Sequence, residues 1–461
     1  MRKYIKPISW IVEGLGAVLA LLVVLLLLAP LLINLEPIRQ SVVTDISQRI
    51  GGRLSAQSID LQFFPRPSIT LRGGSISVPE TTSGTFDSLS IYPEIGMLLR
   101  GKVRITRLIL ESPDMQVGLP DDLGKMEGLE QLSLKAIDDG LASAVAKVAS
   151  QAPGLVVSIE KGNLTLLKQS ESAFWFRDIH ARVTLSGKQL GIEIGCSSNI
   201  WKEFSLAGWL KPGNFQGEGR LQVTQFRPDL IVQNLFPLAE PRIEESEVNL
   251  NLSFGADGVK LSHAEFQSDV PSATLRKGQE TLTLRKVSLK GTFNQSGDKT
   301  IASITELDSV YPQLTMSGKL SSDPASAQAS VEVRSSAVDV ESVRRTALFL
   351  AGRLSFVQSI FEIVRKGRVP EMSVTSRGST IRDLAILENI RIQGNIAGGD
   401  IFIAKPLLDI EDVKGDALIA HGIIEGRNLE ARLGTAKGTK GLFGLLRVQL
   451  SQRLRRTGSH A

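Results

Sequence analysis

Over most of its length the chain alternates apolar and polar residues with a period of two. Ile59, Leu61 and Phe63 take every second position, as do Ile69 and Leu71, then Ile76 and Val78. The pattern returns at Val103 and Ile105, Leu164 and Leu166, and Val183 and Leu185. Leu190, Ile192, Ile194 and Cys196 continue it, followed by Leu221 and Val223, then Val248, Leu250, Leu252 and Phe254. It closes with Leu314 and Met316, Val331 and Val333, Ile390 and Ile392, and Ile401 and Ile403. Side chains of a strand point to opposite faces in turn, so this texture predicts roughly 18 to 22 short strands, each with one apolar and one wet face.

So many strands do not fit one flat sheet, because open sheets beyond about ten strands curl or split. Two arrangements satisfy the pattern. In one, a long curled sheet turns its apolar face inward on a trough; some 20 strands about 4.8 Å apart would run about 95 Å. In the other, two conventional β-sandwiches have packed cores. Periodicity alone does not separate them. Within the alternating body, helical spacing is confined to residues 123–150, 228–239 and 339–366. The last of these carries Val343, Ala347, Leu350, Leu354, Val357, Ile360 and Ile363 on one stripe. Arg365, Lys366 and Arg368 follow it, cations suited to a helix C-terminus.

The N-terminus has a different character. Gly14 to Ile33 is a run of 20 uncharged, mostly apolar residues, enough for a helix to cross the hydrocarbon core of a bilayer. Arg2, Lys3 and Lys6 precede it, which puts that end in the cytoplasm. The run is too long for a signal-peptide core, so an uncleaved anchor seated through residues 8–33 is expected. Glu36-Pro37 then opens a short amphipathic helix through Ile38, Val42, Ile46 and Ile50, stopped by Gly51-Gly52. The expected division is an anchor (1–35), a first β segment (36–225), a middle β segment with helices (226–370), a third β module (371–446) and a basic tail (447–461).

Composition excludes several functions. The net charge of +5 is concentrated in the two ends, including Arg447, Arg453, Arg455 and Arg456. The body is close to neutral and has no electrostatic footprint for nucleic acid. One cysteine and four scattered histidines give no basis for a disulfide or a metal centre, and no metal or cofactor is expected. Gly-x-Ser-x-Gly, His-Glu-x-x-His and Walker A motifs are missing, so no catalytic residues are assigned and the chain reads as non-enzymatic. Gly434–Gly441 hints only weakly at a phosphate loop. His180 and His263 are expected at strand ends. Arg66, between Pro65 and Pro67, reads as an exposed residue of a rigid turn, with a phosphate contact as the sharper alternative.

The N-terminal third resembles the AsmA family of bacterial envelope proteins. The resemblance is carried by Leu35-Glu-Pro-Ile-Arg-Gln40, Ile59-Asp-Leu-Gln-Phe-Phe-Pro-Arg-Pro67, Ile69-Thr-Leu-Arg-Gly73, Met97-Leu-Leu-Arg-Gly-Lys-Val-Arg-Ile105 and Leu108-Ile-Leu-Glu-Ser-Pro-Asp114, in that order. Residues Ile390–Leu433 resemble a later strand module of the same family. The resemblance implies a mainly β chain: an elongated, curled antiparallel β-groove on an inner-membrane anchor, with its bulk in the periplasm. It also implies a role in holding or moving phospholipid for outer-membrane biogenesis, in the manner of chorein-type bridge proteins. Family members often continue well past this module, so the expectation is either a short member or a cut chain, and a truncated trough would have an open edge strand. The groove candidates near the entrance are Ile59, Leu61, Phe63, Ile69, Leu71, Val103 and Ile105. Phospholipid is the implied ligand, with a periplasmic or outer-membrane protein as a possible partner. A scaffold for outer-membrane protein assembly, acting through protein contacts, is the alternative the resemblance leaves open.

Overall fold

The computed structural model describes residues 53–62, 66–78, 82–98, 100, 104–119, 143, 145–146, 152–211, 213–214, 216–236, 240–258, 260–403, 407–421 and 423–445. The anchor segment, the amphipathic helix after it, most of 123–150 and the basic tail lie outside these residues. Among the described residues no helix is long and apolar enough to cross a membrane. The chain divides into two compact units, Met1–Arg242 with Glu247–Leu261 and Ile243–Ser246 with Ser262–Ala461.

The first unit is a strand ladder. Its strands are β1 (Arg53–Gln62), β2 (Ser68–Val78), β3 (Thr82–Pro93), β4 (Ile105–Glu111), β5 (Asp114–Gly118), β6 (Val156–Lys168), β7 (Glu171–Ser186), β8 (Gln189–Ser198), β9 (Trp201–Lys211), β10 (Gln216–Phe226) and most of β11 (Arg242–Asp257). Pairing is antiparallel, with one exception. β4 and β5 pair end to end along β3 on one side, and both pair in parallel with β6 on the other. A parallel join needs a long crossover, and residues 119–155 supply it. Its last part returns to the sheet: Ala152 and Leu155 are buried with Val145, Leu89, Ile91, Ile105 and Leu108 in one core. Leu108 has no exposed surface, and burying such a side chain stabilises by about 2–3 kcal/mol.

A second, smaller core forms where α2 (Pro228–Leu235) packs Leu230, Ile231 and Leu235 against Phe174 and Ile200; the short α1 (Ile95–Leu98) follows β3. Pro228 takes the first turn of α2, where its missing N–H costs nothing.

The second unit continues the same plan through β12 (Lys260–Lys277), β13 (Glu280–Ser296), β14 (Lys299–Tyr311), β15 (Leu314–Asp323), β16 (Gln328–Asp339), β17 (Val364–Gly378), β18 (Ile390–Ile403), β19 (Leu408–Ala420), β20 (Ile423–Leu433) and β21 (Ala436–Leu445). Each pairs antiparallel with the next. Across both units, Gly187, Gly278, Gly297 and Gly434 open two-residue hairpin loops with φ near +60°, a conformation glycine takes without steric cost.

The helix expected over 339–366 is two helices, α3 (Val340–Ala351) and α4 (Ser355–Ile363), with Gly352 at the break. The Asp339 carboxylate accepts from Ser342 N at 2.9 Å and starts the first. Arg365, Lys366 and Arg368 do not end a helix; they belong to β17, where Val364 pairs with Ile401 and Arg368 with Ala397 of β18. The β-branched Val364 and the available ladder partner outweigh the helical stripe. His180 lies mid-strand in β7 opposite Gly195, not at a strand end, and His263 lies within β12. Gly434–Gly441 is a hairpin leading into β21, not a phosphate loop.

Candidate functional site

The register joins the alternating residues into continuous rows. In the first unit, Ile59 pairs with Leu71, Leu71 with Leu89, and Leu89 with Leu110. The row goes on through Ile159, Ala181, Ile194, Leu206, Leu221 and Leu252. No polar residue interrupts it over ten strands. A parallel row runs Ile69, Ile91, Leu108, Val157, Val183 and Ile192, then reaches Gly208, Gly219 and Phe254. In the second unit the corresponding row is Phe266, Gly291, Ile304, Gly318, Val333, Val374, Ile392 and Ile419.

Burial along these rows is uneven. Leu89, Ile91 and Leu108 are core residues, covered by the crossover. Farther along, Ile194, Leu206, Leu221 and Leu252 are partly buried, as are Val333, Val374 and Ile392 in the second unit, while Ile419 at the end of that row is buried. Partly exposed Leu, Ile and Val in an unbroken row leave apolar area in water, and each CH₂ removed from it contributes about 0.8 kcal/mol.

The other face of the same strands is polar and internally paired. Thr70 meets Ser90, Ser88 donates to Glu111 at 2.7 Å, and Lys290 bonds Glu306 at 2.7 Å. Arg276 bonds Glu244 at 2.6 Å. These carboxylate partners hold Lys290 and Arg276 more firmly protonated than usual, chiefly through the hydrogen bond itself. In the second unit this face carries a cavity of about 930 Å³ whose lining mixes Arg334, Arg391 and Arg427 with Glu306, Glu371 and Asp416. In the first unit a cavity of about 1090 Å³ is lined by Arg66, Arg107 and Arg182, with Glu94 the single acid among the described residues of its lining.

Of the seven residues singled out from sequence, Ile59 and Leu71 face each other, and Ile69 pairs with Leu61 and Ile91. Ile69 and Leu71 pack against the first core. Ile105 is only 2% exposed and sits inside that core. Phe63 and Val103 lie outside the described residues. Sequence reasoning missed how far the surface extends: Ile194, Leu206, Leu221 and Leu252 have the same alternation, but only register shows that they continue the row begun at Ile59. It also missed the three-arginine cavity, whose members are far apart in sequence. No protein-family model matches the chain, and no curated protein matches it.

Proposed function

We propose that this is a non-enzymatic envelope protein of the AsmA type that holds phospholipid by its acyl chains along the apolar strand rows. On this reading residues 8–33 anchor the chain in the bacterial inner membrane, and the strand-rich body works in the periplasm for outer-membrane biogenesis. The observation that carries it is the unbroken apolar row from Ile59 to Leu252, whose later members Ile194, Leu206, Leu221 and Leu252 are not fully buried. A closed core would bury them, and an ordinary wet surface would not repeat leucine and isoleucine strand after strand. The near-neutral body agrees with an uncharged cargo surface.

The test is photocrosslinking in living cells. A photoreactive phenylalanine replaces Leu206 or its neighbour Ser205, which lies on the opposite face. Lipid adducts from position 206 and none from 205 are expected. Protein adducts from position 206, with no lipid, would move the assignment to a scaffold for outer-membrane protein assembly.

A further inference from the structure

The polar face of the first unit holds a cluster of cations that the acyl-chain reading does not use. Tyr92, Arg107, Val156 and Thr184 are register partners across β3, β4, β6 and β7. Arg107 and Thr184 are therefore two strand spacings apart, about 10 Å, and Arg182 is two residues further along β7, about 7 Å. Arg107 and Arg182 line the same cavity, as do Tyr92 and Thr184. Arg66 enters from the loop before β2, where the following Pro67 restricts its backbone to extended conformations.

Among the described residues that line this cavity the charges do not cancel. Glu94 is held by Arg104 at 3.2 Å. Arg182 has a distant partner in Glu193, at 3.9 Å with both side chains more than half exposed. Such a pair contributes little and yields readily to a better acceptor. Arg66 and Arg107 have no ion-pair partner among the described residues, and Arg107 Nε is buried without a hydrogen-bond acceptor. A buried donor left unpaired costs about 1–3 kcal/mol. Three arginine forks around one space match a tetrahedral oxyanion with several acceptor oxygens.

We infer that Arg66, Arg107 and Arg182 form a phosphate-binding site, assisted by the Tyr92 and Thr184 hydroxyls. Arg107 alternates with Leu108 and Arg182 with Val183, so this site lies on the face opposite the apolar rows and stands independently of the acyl-chain reading. The phosphate belongs either to a free phosphate or to a lipid headgroup; the recognition chemistry is the same.

The full-length protein in mild detergent is titrated by calorimetry with inorganic phosphate and, separately, with dihexanoyl phosphatidylglycerol below its micelle concentration. Saturable binding is expected, weakened at least tenfold by Arg107→Gln and by Arg66→Gln, and unchanged by Arg220→Gln on β10. Tighter binding of the lipid than of phosphate identifies the headgroup as the source, and equal or weaker binding identifies free phosphate. Arg66 is exposed, so its variant folds even if Arg107→Gln does not. No saturable binding of either probe, or equal binding by Arg66→Gln and the unaltered chain, would overturn the site. Lipid that co-purifies on the apolar rows should be unaffected by Arg66→Gln, which keeps the two readings separable.

Discussion

The ring of Phe86 on β3 lies across the α-carbon of Gly74 on β2, its register partner; a Cβ at residue 74 would fall 1.9 Å from the ring. The same arrangement recurs at Gly219 beneath Phe254 and Gly291 beneath Phe266, each a cross-strand pair on the apolar face. A bare glycine backbone covered by a neighbouring aromatic ring recovers the buried area that the glycine lacks.

Gly74→Ala should therefore destabilise the first unit by about 1–3 kcal/mol, as overpacking does, because Phe86 is only 5% exposed and has little room to move. Gly96→Ala is the control, since a Cβ there meets nothing within 4 Å. Thermal unfolding of the two variants checks this: equal midpoints would show that the ring moves aside freely.

Gly73-Gly74 reads in the sequence as a breaker between two strands, yet β2 runs through both as one strand. Which aromatic covers Gly74, Gly219 or Gly291 was not legible, because that depends on register. The alternation itself was legible, from Ile59 and Leu71 through to Ile401 and Ile403, because a period of two follows directly from strand geometry. The sequence places residues 364–366 in a helix, since the apolar stripe of 343–363 runs up to them and nothing local reveals the β18 partner. The arginines at 66, 107 and 182 share no motif; three separate segments meet through strand pairing, including a parallel join that alternation does not disclose.

The carboxylate of Asp229 is fully buried at the start of α2 and receives a two-pronged hydrogen bond from Arg227, Nε to Oδ1 at 3.2 Å and a terminal nitrogen to Oδ2 at 2.8 Å. Removing one member takes this two-pronged, charge-assisted bond from the other. Arg227→Ala should cost about 2–4 kcal/mol, reduced from the value for a wholly buried pair because the arginine is 41% exposed. Asp229→Asn, which keeps the shape, should cost less. Chemical denaturation of both variants tests the order, and an Arg227→Ala midpoint matching the unaltered chain would rule out a structural pair.

Cys196 belongs to the apolar face, opposite Phe204, and burial raises its thiol pKa above the usual 9.0. Less thiolate forms at a given pH, so alkylation at pH 8 should be slower in the folded chain than in the unfolded one. The folded state holds the proton more tightly. The stability this contributes is therefore complete below pH 9.0 and is lost as pH rises through the folded-state value. Cys196→Ala should flatten the alkaline fall in the denaturation midpoint. An unchanged slope would place the thiol in water.

The acyl-chain account predicts that neighbouring residues on one strand behave oppositely. Leu206 pairs with Ile194 and Leu221 in the apolar row, while Ser205 is exposed on the other face. A carboxylate at 206 would lose its hydration against an acyl chain, whereas one at 205 stays in water. The decisive measurement is the phospholipid content of the full-length protein, purified in mild detergent and weighed by native mass spectrometry with lipid extraction, for the unaltered chain, Leu206→Asp and Ser205→Asp. Circular dichroism of each confirms the strand content. Bound phospholipid in the first and third, lost in folded Leu206→Asp, is the predicted result; equal lipid in all three, or none in the unaltered chain, contradicts it.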